Sequence, residues 1–301
     1  MHWGFGGEVV FHKTRVVCRI DRATSNAEVA LDFLKGPLRF PRFQFAEIHD
    51  QEWCPSVLRD ALTEWLRALW EYSGASSVLA PLVSEVIAES GATRIVDLCS
   101  GASGPLLSLQ KQLSAEGLTI PAVMTDKFPA RDAMARIAAL GHAQVTSCPE
   151  SVDATALPPG LKGFRTLFNS FHHFAPPQAR AILEDACRSR QPIGVFEITE
   201  RTVVKTILSF PASFLSCFLL IFRMWPRRPA WWVLTWILPL IPFMIGWDGL
   251  ISHLRSYTSP ELMQMAAECG GSQGYEWRTG KLRAPKAGVR ISYLIGMPLS
   301  Q

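Results

Sequence analysis

The chain predicts an α/β fold built on a parallel, doubly wound sheet, and three observations carry that prediction. Between residues 93 and 198, short apolar runs alternate with helix-like stretches of about ten residues. Two amphipathic stripes precede this alternation. One 45-residue stretch, 203–247, then interrupts it with 30 hydrophobic residues and four charges, Lys205, Arg223, Arg227 and Arg228.

Taken in order, Val9–Ile20 reads as a strand and Asn26–Leu34 as a short helix. From Ser56, apolar residues recur along one helical face (Val57, Leu58, Ala61, Leu62, Trp65, Leu66, Leu69, Trp70). A second stripe runs from Val78 to Ile87. Strands follow at Thr93–Leu98, Ile120–Thr125, Ala143–Ser147, Phe164–Phe168 and Pro192–Ile198. Helices are expected between them at Pro105–Leu113, Pro129–Leu140 and Gln178–Arg188. Ser259-Pro260-Glu261 has the chemistry of a helix cap and first turn, with the helix reaching about Glu268. Tyr275–Arg283 and Val289–Gly296 fit a β-hairpin.

Composition narrows the class. Hydrophobic residues are 48%, charged ones 19%, and mean hydropathy is +0.14. These values exclude disorder, collagen-like repeats and coiled coil. The formal net charge of +4 gives no case for a nucleic-acid partner. Seven scattered cysteines without zinc spacing read as reduced thiols in a cytosolic setting. The first fifteen residues lack a basic segment followed by an apolar run, so they do not read as a signal peptide.

The most informative stretch is Arg94–Pro105, RIVDLCSGASGP. Asp97 closes a strand, and Ser100, Gly101, Ala102, Ser103 and Gly104 follow before a helix. Small residues let backbone approach a ligand, and a helix N-terminus offers free N–H groups. VDLCSGASG resembles motif I of the class I S-adenosylmethionine-dependent methyltransferases, usually hydrophobic-D/E-x-G-x-G-x-G. Here Cys99 replaces the first glycine and Ser103 the third. Three further matches follow in order: Asp126 in VMTDKFP, Asp153 in SVDATALP, and His172-His173 in FNSFHHF.

The resemblance covers roughly 90–200 and, more loosely, 248–301. It implies a Rossmann-like sheet, mostly parallel with the last strand antiparallel, and S-adenosyl-L-methionine as cofactor. It assigns Asp97, Ser100, Gly101 and Gly104 to the loop around the methionine and sugar. Asp126 would accept from both ribose hydroxyls, as an acceptor-only carboxylate can. Asp153 and the Ala154 amide would face adenine, and Asn169 would stand where the fourth strand meets the cofactor.

On the acceptor side, His172, His173 and Glu200 are candidates for catalysis, the histidines as bases that titrate near neutrality. No third residue has telling spacing for a metal, so none is expected. Glu197, Asp248, His253, Arg255 and Tyr257 fall in the same region.

Within the insert, Thr206–Phe222 and Pro229–Trp247 are near the lower limit for crossing a bilayer. Prolines interrupt both, and the joining RMWPRRPAWW is basic and aromatic. Spanning, lying in one leaflet, and capping a hydrophobic pocket all remain open. The expected plan is an N-terminal extension (1–45), a methyltransferase domain (46–202 with 248–301), and the insert (203–247). The expected activity is methyl transfer to a small-molecule or lipid-like acceptor by a membrane-associated protein with its catalytic domain cytoplasmic. A soluble cytoplasmic protein, a binding module without turnover and an aminopropyl-type transferase are the alternatives.

Overall fold

The computed structural model describes residues 11–12, 15–18, 38–101, 104–129, 144–270 and 274–299. The helices expected at Asn26–Leu34 and Pro129–Leu140 lie outside these residues, Pro129 apart, as do Ala102 and Ser103.

Among the described residues, nine strands form one sheet in the order β1-β2-β8-β9-β7-β6-β3-β4-β5. Five are parallel: β3 (Ile95–Leu98), β4 (Ala122–Met124), β5 (Val145–Ser147), β6 (Phe164–Phe168) and β7 (Ile193–Glu197). β9 (Arg290–Pro298) runs antiparallel between β7 and β8 (Tyr275–Arg283). That seven-strand order, with its reversed last strand inserted beside β7, is the sheet of the class I methyltransferase fold. The strand expected at Val9–Ile20 is two short ones, β1 (Phe11–His12) and β2 (Arg15–Cys18), and β2 extends the sheet beyond β8.

β3, β6 and β7 are buried at every position. Helices cover both faces, which is why these strands read as continuous apolar runs rather than alternating ones. On one face, α2 (Ala75–Ser90) and α3 (Leu106–Ala115) contribute Leu79, Val83, Val86, Leu109 and Leu113 to the core. On the other, α4 (Pro176–Ser189) and α8 (Ser259–Glu268) contribute Ile182, Leu183, Leu262 and Met265. The α8 cap is Thr258, one residue before the expected Ser259. Thr258 and Glu261 form a reciprocal capping box.

A third apolar cluster stands apart from the sheet. Helix α1 (Ser56–Ser73) packs Ala61, Trp65 and Ala68 against the insert. The insert supplies Leu220 from α5 (Val203–Leu220), Trp231 from α6 (Pro229–Trp236), and Ile241 and Met244 from α7 (Leu240–Arg255). Polar contacts fix the docking: Trp231 Nε1 donates to Val57 O (2.9 Å), Trp65 Nε1 to Ser216 Oγ (3.1 Å), and Arg228 pairs with Asp60 (2.8 Å). The expected boundary at Trp247 falls inside α7, a continuous helix.

The chain from Val203 to Arg223 is the one described helical stretch long and apolar enough to cross a membrane, and α6 and α7 meet at a 75° bend. Among the described residues, fourteen of the twenty exposed large hydrophobic side chains belong to 203–247, among them Ile207, Leu215, Leu219, Phe222, Trp236 and Phe243. Phe210, Phe214, Phe218, Phe243 and Trp236 pack ring against ring in stacked, tilted and edge-on pairs and bind α5, α6 and α7 into one apolar surface.

Candidate functional site

The parallel strands present their carboxyl ends to one edge of the sheet, where open α/β folds bind ligands. Asp97, in β3, is buried, and Thr166 donates to its Oδ1 at 2.7 Å. Burial pushes the Asp97 carboxyl up to about 7 despite that hydrogen bond. Cys99 follows with φ of +56°, and Asn169, beyond neighbouring β6, has φ of +51°. Backbone therefore takes the left-handed form at the ends of two adjacent strands, a strain concentrated at functional edges. Cys99, at the first glycine position of the motif, takes a left-handed backbone that glycine adopts without cost.

Gly101 and Gly104 also have positive φ, +52° and +43°, and among the described residues a Cβ on either would meet nothing within 4 Å. Their surfaces are open to a ligand. The Gly101 amide donates to Asp126 Oδ2 at 3.0 Å, while Asp126 Oδ1 accepts from the Phe128 amide at 2.8 Å. Ser100 Oγ donates to the Asp97 carbonyl at 2.9 Å, securing the start of the loop.

Asp153 and Ala154 line a cleft with Cys99, Lys127, Phe174 and Gln178. Asp153 Oδ1 accepts from the Thr155 amide and hydroxyl at 2.9 and 2.7 Å, and Oδ2 pairs with Lys127 at 2.8 Å. The Lys127 ammonium and the Thr155 donors hold the Asp153 carboxyl down, at about 2. Asn169 Oδ1 accepts from the Ile198 amide at 3.3 Å, tying β6 to the end of β7. The cofactor residues expected from the resemblance thus gather at one edge, split between the Gly101–Asp126 pair and the Asp153–Ala154 cleft.

The acceptor-side candidates have different partners. Burial pushes the Glu200 carboxyl up, but its ion pairs with Lys205 and Lys281 outweigh this and hold it below the ordinary range. The Lys205 pairing has a simple cause: α5 begins next to Glu200 and brings Lys205 onto it. His172 is 1% exposed, and its Nδ1 donates to Glu197 Oε2 at 2.7 Å. Burial pushes the Glu197 carboxyl up, but the His172 contact outweighs this and keeps it low. His172 is thus held against Glu197 inside the protein. His173 is 25% exposed, with Nδ1 at 3.2 Å from Asp50 Oδ2. Arg201 pairs with Glu261, and Tyr257 donates to the Phe174 carbonyl at 2.7 Å.

Sequence reasoning passed over Glu47, His49 and Asp50, which surround the two histidines. Glu47 Oε1 lies 3.2 Å from Arg255 Nη1 and accepts from Ser252 Oγ at 2.9 Å. The signal was the run EIHD, three chemistry-bearing side chains within four residues.

No protein-family model and no curated protein matches the chain. Solved structures do. An O-methyltransferase from neocarzinostatin biosynthesis, in complex with S-adenosylmethionine and 2-hydroxy-5-methyl naphthoic acid, is 15% identical over 70% of this chain and 50% of that one, with a TM-score of 0.40. The CMeT domain of the citrinin polyketide synthase is 13% identical over 70% and 47%, TM-score 0.42. The methyltransferase domain of bacterial CtHen1 is 13% identical over 72% and 96%, TM-score 0.44. The chain spans about half the length of the first two. The strand order by itself, five parallel strands with the last strand antiparallel beside β7, is that of a Rossmann-like methyltransferase sheet.

Proposed function

We propose that the chain transfers the methyl group of S-adenosyl-L-methionine to a small acceptor of hydrophobic or lipid-like character at a membrane surface. The observation that supports the cofactor most directly is the Gly101 amide on Asp126 Oδ2 beside two glycines whose outer faces are open. When bound, the cofactor supplies an electrophilic methyl on a sulfonium. Asp126 keeps lone pairs for two ribose hydroxyls, because each of its oxygens accepts only one protein hydrogen bond. Gly101 and Gly104 leave room for backbone to approach the donor, and the cleft of Asp153, Ala154 and Phe174 takes an aromatic ring. The chain's contribution to rate is then mainly positioning.

The apolar surface of α5–α7 supports the membrane assignment. A contiguous exposed apolar surface marks an interaction site, and its aromatic and arginine edge suits a headgroup boundary. We assign 46–202 with 248–301 to cofactor and acceptor, and 203–247 to a hairpin lying in the cytoplasmic leaflet. The experiment is S-adenosylhomocysteine release from purified protein given S-adenosylmethionine and a membrane lipid extract. Release that depends on the extract is the expected result. Cofactor binding without release under any lipid would leave only a binding module.

A further inference from the structure

We infer that Glu47, His49, Asp50 and His173 form a binding site for one divalent first-row transition cation, with His172 as an additional donor. One ligand atom from each of the first four lies within 4.8 Å of the others, as ligands around a shared ion do. Three imidazoles converge there, His49 and His172 each backed by a carboxylate outside the ligand set and His173 facing its co-ligand Asp50. His49 Nδ1 is held by Asp248 Oδ2 at 3.0 Å, His172 Nδ1 by Glu197 Oε2 at 2.7 Å, and His173 Nδ1 by Asp50 Oδ2 at 3.2 Å. A carboxylate behind Nδ1 fixes the tautomer and ring direction that leave Nε2 to face a metal.

The independent sign is at His172. Its Nε2 is fully buried, has no hydrogen-bond partner, and lies 3.7 Å from Glu47 Oε1. His173 Nε2 stands at the same 3.7 Å from Glu47 Oε2, and His49 Nε2 at 3.3 Å from Asp50 Oδ1. Separations of this size suit ligands sharing an ion at about 2.1 Å from each. Charge agrees. Glu47, Asp50, Glu197 and Asp248 bring four carboxylates, whereas Arg255 Nη1 brings one positive charge to Glu47 and Asp50. The imidazole and carboxylate donor set suits Mn²⁺, Fe²⁺ or Zn²⁺ rather than thiol-seeking ions. The ion fastens the 47–50 segment to the turn after β6, with α7 supplying the supporting Asp248. The EIHD run supplies three of the ligands, and His173, more than a hundred positions on, joins them only through the fold.

The test is titration of chelator-treated, full-length protein with Mn²⁺, followed by loss of the free-ion paramagnetic resonance signal. One equivalent should bind, and His49→Gln with His173→Gln should weaken it at least about a hundredfold. Circular dichroism of the variant checks its fold. Co²⁺ absorption of the unaltered protein gives a second measure, an imidazole-shifted spectrum. Absence of Mn²⁺ binding, a double variant that binds equally well, or a Co²⁺ spectrum identical to the aqueous ion each overturns the site. S-adenosylmethionine binding is measured on the same metal-free samples, so failure of the cation site leaves the cofactor reading separately decided.

Discussion

The backbone amide of Gly101 and the carboxylate of Asp126 are joined across 3.0 Å, although 25 residues separate them in the chain. This bond couples the loop after β3 to the loop after β4. Asp126→Ala removes both the loop tether and the expected ribose acceptor. Charge-assisted hydrogen bonds contribute about 1.5–3 kcal/mol each, so S-adenosylmethionine affinity should fall roughly a hundredfold. Calorimetry reads this directly, and undiminished affinity would remove the central cofactor assignment.

Asp97 sets a pH dependence of stability. Its folded pKa, about 7, is raised above the ordinary value of 3.8 by burial. The folded state therefore holds a proton that the unfolded chain releases between about pH 4 and 7. Stability is highest below that window and declines as pH rises through it, by at most about 4 kcal/mol. Asp97→Asn keeps an acceptor for Thr166 and cannot ionise. Denaturant midpoints at pH 5, 6, 7 and 8 should slope downward for the natural sequence and flatten for the variant.

The insert can be tested without disturbing the third core. Leu219, Phe222 and Trp236 are exposed, so their replacement by serine leaves the packing of α1 on α5–α7 in place. Each replacement forfeits about 2 kcal/mol of transfer free energy from an apolar phase. Flotation with phospholipid vesicles should carry the natural sequence and leave the triple variant behind. Equal flotation of both, or of neither, would refute anchoring through this surface.

Arg165 and Asp185 form a buried ion pair at 2.8 Å between β6 and α4. Asp185 also accepts from Arg188, so its loss strands one buried guanidinium and frees another. Asp185→Ala should cost about 3–5 kcal/mol, the usual penalty for an uncompensated buried charge. Thermal melting measures it, and a loss below about 1 kcal/mol would show that Arg165 finds water or a new partner.

Much of the fold was legible because its signals are local. β6 coincides with the expected Phe164–Phe168, and α8 ends at Glu268 as its cap and periodicity suggest. Asp97 and Gly101 stood out by loop chemistry, and Asp126 and Asp153 through the family resemblance, each at or just after a strand end. The ion pairs of Glu200 were not legible, because Lys205 and Lys281 are brought to it by where α5 and β8 pass. Glu47, His49 and Asp50 were missed because the segment before α1 has no period, and its meaning arises only where Asp248 and the β6 turn meet it. The full extent of α7 was not legible because the apolar run ends at Trp247 before the helix does: Asp248 and Arg255 are polar yet buried.

The position of β9 between β7 and β8 has a consequence for the order in which the protein forms. β7 must wait for a partner nearly a hundred residues downstream, and β2 must wait for β8. Emerging from N- to C-terminus, the chain exposes the whole apolar hairpin before the sheet that frames it can close. Folding with such non-local pairing is slow and open to aggregation in the interval. If the insert docks on lipid as proposed, partitioning during that interval would shelter its apolar face until the sheet closes.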